Sequence, residues 1–175
     1  MATAIQDVRV MAESRGRHTS LLRSGIMLRF AFVPVAVGIC YLFAWDWLKY
    51  WTAEANLRID LLAGIHLERV SFDLVRWRGA LYEYKVACTF ADVWCGAIPL
   101  LWHWRRSALW NLAFLLAVAA GFFAFNVFRL SVSDVLFAFG LPWNVAHNAI
   151  SGGAYFAVWA WLWRSKYSPL AQWRS

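Results

Sequence analysis

Residues 108–129 read ALWNLAFLLAVAAGFFAFNVFR, twenty-one residues without a charge closed by Arg129. About 20 apolar residues in a helix cross the hydrocarbon of a bilayer, so this stretch reads as a spanning helix over 108–128. The whole chain agrees with that reading. It has 175 residues, 62% of them hydrophobic and 15% charged, where a soluble domain carries roughly 45–50% and 25%. Many of its 13 Trp stand where apolar runs end, as interface anchors do. The net charge of +7 forms no basic stripe with interleaved aromatics, so no nucleic-acid partner is expected.

Working outward from this stretch, further spans are expected at 26–47, 86–104 and 146–163. Pro34 lies inside the first, and Arg105-Arg106 closes the second. Residues 52–85 break the pattern with charges of both signs among Leu, Ile, Val and Phe, which predicts an amphipathic segment or small cap. Its second half, where Val70-Ser71-Phe72-Asp73-Leu74 alternates, fits helix or strand. Residues 130–145 are apolar but interrupted by Asp134, Gly140 and Pro142, and read as a re-entrant or interfacial turn. The fold class is therefore all-α: an integral membrane bundle of about four transmembrane helices with an extracytoplasmic amphipathic segment. A basic leader at 1–23, a single membrane domain at 24–163 and a tail at 164–175 complete it. No cleavable signal peptide is expected, because the first apolar run follows a polar leader and is too long.

Lys and Arg crowd the leader, the 105–106 hairpin and the tail, which places both termini in the cytoplasm and 52–85 outside. The chain is expected in the cytoplasmic (inner) membrane, in contact with lipid. In that topology Cys88, Arg129 and His147 fall at one depth near the outer face. A thiolate is a strong nucleophile favoured by a neighbouring cation and a helix N-terminus. His147 suits the proton relay, and Arg129 a developing oxyanion or a substrate carboxylate. The set reads as acyl transfer by a cysteine. Asp92, four residues after Cys88, either orients His147 or pairs with Arg129. Asn126 and Asn148 are supporting hydrogen-bonding residues. Cys95, roughly 10 Å deeper on about the same helix face, is the alternative nucleophile. Cys40, Cys88 and Cys95 are expected to make no redox or metal pair, since none stands two residues from another. Cys40 reads as an inert buried thiol, His103 as an aromatic-belt residue, and Glu83 and Asp134 as rim charges. No cofactor or metal is expected.

Ala87-Cys88-Thr89, then Asn126-Val127-Phe128-Arg129-Leu130, then Ala146-His147 followed by Gly152-Gly153, resemble the exosortase/archaeosortase family in order, spacing and sidedness. The resemblance covers roughly residues 82–163, and Phe90 stands where that family usually has Gly. It implies a membrane cysteine protease or transpeptidase acting on proteins with a C-terminal motif, a spanning helix and a basic tail. Water, or a glycan or lipid acceptor, would take the cleaved product. Two other classes fit the composition: a small transporter or channel subunit using Asp92, Arg129 and Asp134, and a non-catalytic membrane assembly protein.

Overall fold

The computed structural model describes residues 27–167; the leader 1–23 and most of the tail lie outside the described residues. The chain is predominantly helical, with five α-helices and one small sheet among those residues. Helix α1 (Met27–Cys40) turns through 41–45 into α2 (Asp46–Leu62). Strands β1 (Glu68–Arg69), β2 (Leu74–Trp77) and β3 (Ala80–Glu83) follow. A 3-10 turn (Val86–Thr89) leads into α3 (Ala91–Leu101), then α4 (Ala108–Ala138) and α5 (Trp143–Tyr167).

Helix α4 is the one helix among the described residues that is long and apolar enough to cross a membrane. Most of its apolar length faces outward rather than into the protein, with Leu109, Leu112, Leu116 and Phe128 exposed. Ser107 caps its start by accepting the Trp110 N–H, as a serine at that position does. The buried Asn111 fastens the hairpin before it, accepting from His103 N at 2.8 Å and donating to His103 O at 3.0 Å. Phe90, Val93, Ala97, Leu115 and Val158 centre the core shared by α3, α4 and α5. Helix α1 closes on α3, where Arg29 donates to the Trp102 carbonyl at 3.1 Å. Cations favour the carbonyl end of a helix.

Four expectations are corrected. The first apolar run ends as a helix at Cys40 instead of 47, because Trp45 takes a left-handed backbone (φ 54°) and its indole donates to the Cys40 carbonyl at 2.8 Å. The fold is not purely α: the outer segment carries a three-stranded antiparallel sheet in the order β1-β2-β3. Its strands flank the alternating stretch, and residues 70–73 form the turn, with Ser71 N bonded to Leu74 O at 3.1 Å. Arg78 and Gly79, at φ 47° and 82°, make the two-residue β2–β3 turn. Positive φ at both central residues matches the right-handed twist of a hairpin. Lastly, residues 130–138 continue α4, so the break lies at Phe139–Pro142. Asp134 is no rim charge, being 6% exposed within the helix.

Helix α2 is amphipathic with its polar side inward. Thr52, Asn56 and Asp60, one turn apart each, are fully buried, while Trp47, Trp51, Leu61 and Leu62 are exposed. Over that buried face Val75, Tyr84 and Leu130 form a second core, with Tyr82 and Cys88 at its edge. Tyr82 also meets Phe137 edge-on at 6.3 Å and Trp143 at a tilt at 4.7 Å, which seats the sheet on the ends of α4 and α5. Burial pushes the Tyr84 phenol well above its ordinary value, and the Asp134 and Asp60 carboxylates add to the effect.

Gly96 marks the closest approach of α1 and α5 to α3. A Cβ there would lie 2.9 Å from Val37 Cγ2 and 3.2 Å from Trp159. Valine is stiff at χ1 and cannot swing aside, so Gly96→Ala should lower the unfolding midpoint, at a cost of about 1–3 kcal/mol. Gly121→Ala, where a Cβ meets nothing within 4 Å, should leave it unchanged or raise it. Thermal unfolding of both variants in the same detergent checks the packing; equal midpoints would contradict it.

Candidate functional site

Cys88 lies in the 3-10 turn that precedes α3, its N–H bonded to Lys85 O at 2.8 Å. Thr89 holds the switch from that turn to α3, donating to Val86 O at 2.7 Å and accepting from Ala91 N at 3.2 Å. Phe90, the N-cap of α3, adopts φ 58°, ψ 15°. This left-handed region is costly for a residue with a Cβ and open to glycine. The backbone thus takes a glycine-like conformation at Phe90. The Phe90 ring is 1% exposed, meeting Tyr155 edge-on at 4.9 Å and lying under the Arg129 guanidinium at 4.8 Å.

Arg129, 3% exposed, is the hub of the region. Its Nε donates to Asn126 Oδ1 at 2.9 Å, its Nη1 to Ser151 Oγ, and its Nη2 to the Ala87 carbonyl at 3.4 Å. Asn126 completes the link by donating from Nδ2 to the Cys88 carbonyl at 2.7 Å. One asparagine therefore holds both the guanidinium and the backbone of the thiol residue. Asn126 and Arg129 are three apart on α4 and share a helix face.

His147 stands one turn before Ser151 on α5. Its ring stacks on Trp143 at 4.9 Å, and its Nδ1 is buried without a hydrogen-bond partner. No hydrogen bond joins Cys88 to His147 among the described residues. Cys88 is tied to Arg129 through Asn126 and the neighbouring Ala87 carbonyl, while the thiol and the imidazole remain unlinked.

Asp92 neither orients His147 nor forms an ion pair with Arg129. Its carboxylate accepts from the hydroxyls of Tyr155 at 3.0 Å and Tyr41 at 3.2 Å, and from Val93 N at 2.9 Å. These donors satisfy it without a cation. Asn148 is exposed on the other side of α5 and does not join the site. Cys95 lies away from Arg129, with its thiol hydrogen-bonded to that of Cys40. That contact arises because α1 packs on α3, which brings together residues far apart in sequence. All three thiols are free.

Ser151 and Tyr155 were not anticipated. Their signal was present, since His147, Ser151 and Tyr155 recur every four residues and so face one way from α5. The Tyr155 hydroxyl also lies 3.2 Å from the Ala87 carbonyl, its single proton shared between that oxygen and Asp92, so α4 and α5 both face the peptide next to Cys88.

No protein-family model, curated protein or solved structure matches the chain.

The strained backbone and buried ring at Phe90 make opposing demands that substitutions separate. Phe90→Ala loses the ring, costing about 3–5 kcal/mol as for other buried aromatics. Phe90→Gly loses the same ring but relieves a left-handed backbone worth about 1–2 kcal/mol. Phe90→Gly should therefore be more stable than Phe90→Ala, the reverse of their usual order inside a helix. Unfolding midpoints of the two variants decide it, and the usual order would contradict the left-handed assignment.

Proposed function

We propose that the chain is a membrane-embedded cysteine peptidase or transpeptidase of the exosortase type, cleaving the C-terminal sorting signal of exported proteins at the outer face of the membrane. The observation that carries this reading is the buried Arg129, fixed by Asn126 and Ser151 and reaching the carbonyl beside Cys88. A guanidinium has five N–H donors and three bonds here, so donors remain for an oxygen that gains charge next to the thiol.

In this mechanism His147 takes the Cys88 proton, and the thiolate attacks the scissile carbonyl. The tetrahedral oxyanion is stabilised by Arg129. Collapse breaks the C–N bond, and His147 returns the proton to the departing amine, leaving a thioester on Cys88. Water, or an amine or hydroxyl on a glycan or lipid, then attacks the thioester and regenerates the thiol. Proton transfer needs Cys88 and His147 within about 2.6–3.2 Å, a distance often looser before substrate binds. Substrate entry would bring the unpartnered His147 Nδ1 into use.

Helix α4 is the proposed full crossing, with α1, α3 and α5 beside it in the same proposed bundle; α3, at 11 residues, falls short of the ~20 a crossing takes. Helix α2 and the sheet lie outside, and both termini lie in the cytoplasm. The outward apolar surface supports this arrangement. Phe32 and Ile39 on α1, Leu116 and Phe128 on α4, and Phe156 and Trp161 on α5 are all exposed. A substrate's own spanning helix would dock laterally against this surface. A membrane-impermeant maleimide applied from outside should label Arg78→Cys and spare Arg105→Cys; the opposite pattern reverses the orientation.

Processing of a substrate carrying a motif, a spanning helix and a basic tail tests the chemistry. Cys88→Ala should abolish cleavage while the protein still inserts, and His147→Ala should be nearly as damaging. Arg129→Lys keeps the charge but loses the planar fork; losing one oxyanion donor costs roughly 10²–10³ in rate. Cys95→Ala should process almost normally. Cleavage retained by Cys88→Ala and lost by Cys95→Ala would move the nucleophile, and cleavage by both would end the cysteine mechanism.

A further inference from the structure

Helices α2 and α4 bury a second polar cluster, beyond Arg129 toward the C-terminal end of α4. Asn56 and Asp60 are four apart on α2, and Ser131 and Asp134 three apart on α4, so each pair projects from one helix face. Asn56 and Asp60 are 0% exposed, Ser131 5% and Asp134 6%. Asn56 Nδ2 reaches Asp134 Oδ2 at 2.9 Å, Ser131 Oγ at 3.4 Å and the Asp60 carboxylate. None of the ion pairs found among the described residues involves either aspartate. Two acceptors in the cluster, Asn56 Oδ1 and Asp60 Oδ1, are buried with no hydrogen-bond partner.

An unpaired buried acceptor costs about 1–3 kcal/mol, and more when it carries charge. Two carboxylates without a basic side chain add to that cost. The two carboxyls lie within hydrogen-bonding reach of each other, and one proton shared between them removes one charge and partners one oxygen, which leaves the Asn56 Oδ1 acceptor orphaned. A metal cation supplies the missing charge and takes several oxygens at once. Turning the Asn56 amide about its axis, a change that preserves its shape, aims Oδ1 at the carboxylates and carries Nδ2 away from them, so that the cation takes the place of the N–H donations to Asp134, Ser131 and Asp60.

We propose that Asp60, Asp134, Asn56 and Ser131 form a binding site for a hard divalent cation of the calcium class. The donors are all oxygen, which disfavours zinc and copper. Two carboxylates balance a divalent charge, and the four side chains offer up to six oxygens, within the range calcium takes. Magnesium dehydrates reluctantly and keeps several waters, which a fully buried cluster has little room for. A bound cation clamps α2, and the sheet that follows it, to the end of α4 that also carries Arg129. Ser133 Oγ bonded to the Arg129 carbonyl at 3.0 Å lies between the two sites. The cation site is independent of the proposed peptidase activity.

Calcium chloride titrated into the full chain in detergent, after chelator treatment, tests it through the thermal unfolding midpoint. Because a ligand bound only by the folded state stabilises it, the wild-type midpoint should rise saturably by several degrees. EGTA should reverse the rise, and magnesium chloride at equal ionic strength should give a much smaller one. Asp134→Asn should abolish the response. Ser131→Ala, which removes one hydroxyl and leaves both carboxylates, should shift the calcium midpoint several-fold and keeps the test open if Asp134→Asn fails to fold. An unresponsive wild type, an equal magnesium response, or a Ser131→Ala titration identical to wild type overturns the assignment.

Discussion

A guanidinium inside an apolar bundle carries an effective desolvation penalty of several kcal/mol, and fixed dipoles must replace the lost water. Arg129 meets this demand with an amide oxygen from its own helix, a hydroxyl from α5, a carbonyl from the turn before α3 and the face of Phe90. These contacts join three elements that share no sequence neighbourhood. They also fix the peptide around Cys88, because Asn126 cannot hold Arg129 without also facing the Cys88 carbonyl. The left-handed turn at Phe90 follows from the same constraint: it places the ring beneath the guanidinium and starts α3 in the direction that carries Asp92 to the tyrosines.

Elsewhere the molecule exposes many large apolar side chains and buries polar ones beside its apolar cores. Helix α2 buries Thr52, Asn56 and Asp60 and exposes its tryptophans. Asp92 is satisfied by two tyrosine hydroxyls, and Gly96 lets α1 and α5 approach α3 closely. Buried hydrogen-bonded groups and small residues at helix contacts are what hold helices together where the surroundings are themselves apolar. The same logic links the proposed active site to the Asp60–Asp134 cluster, since both sit where α4 meets polar side chains from other elements.

Much of this was legible in the sequence. Uncharged runs ended by Arg and Trp located most of the helical sequence, and an ionisable residue among apolar ones marked Arg129 as a group that needs partners. Asn126, three residues before it, was legible for the same reason. The sheet was less so, because its turn is Arg78-Gly79 instead of the Asn-Gly or Asp-Gly pair that announces a hairpin. Asp134 suggested a break in α4, yet a carboxyl buried against Asn56 is compatible with continuous helix. The partners of Asp92 and the meeting of Cys40 with Cys95 arise from how α1 lies on α3, which no spacing along the chain encodes. Ser151 and Tyr155 were readable at four-residue intervals from His147, but both are residue types that helices carry for many reasons.

The central claim is that Cys88 forms a covalent acyl intermediate beside Arg129. Intact mass measurement of the chain, rapidly quenched in acid after mixing with a sorting-tail substrate, tests it most directly. The expected result is an added mass equal to the N-terminal portion of the substrate, mapped to Cys88 and released by hydroxylamine as a thioester is. Substrate cleavage with no adduct on any cysteine, or with the adduct on Cys95, would contradict the account.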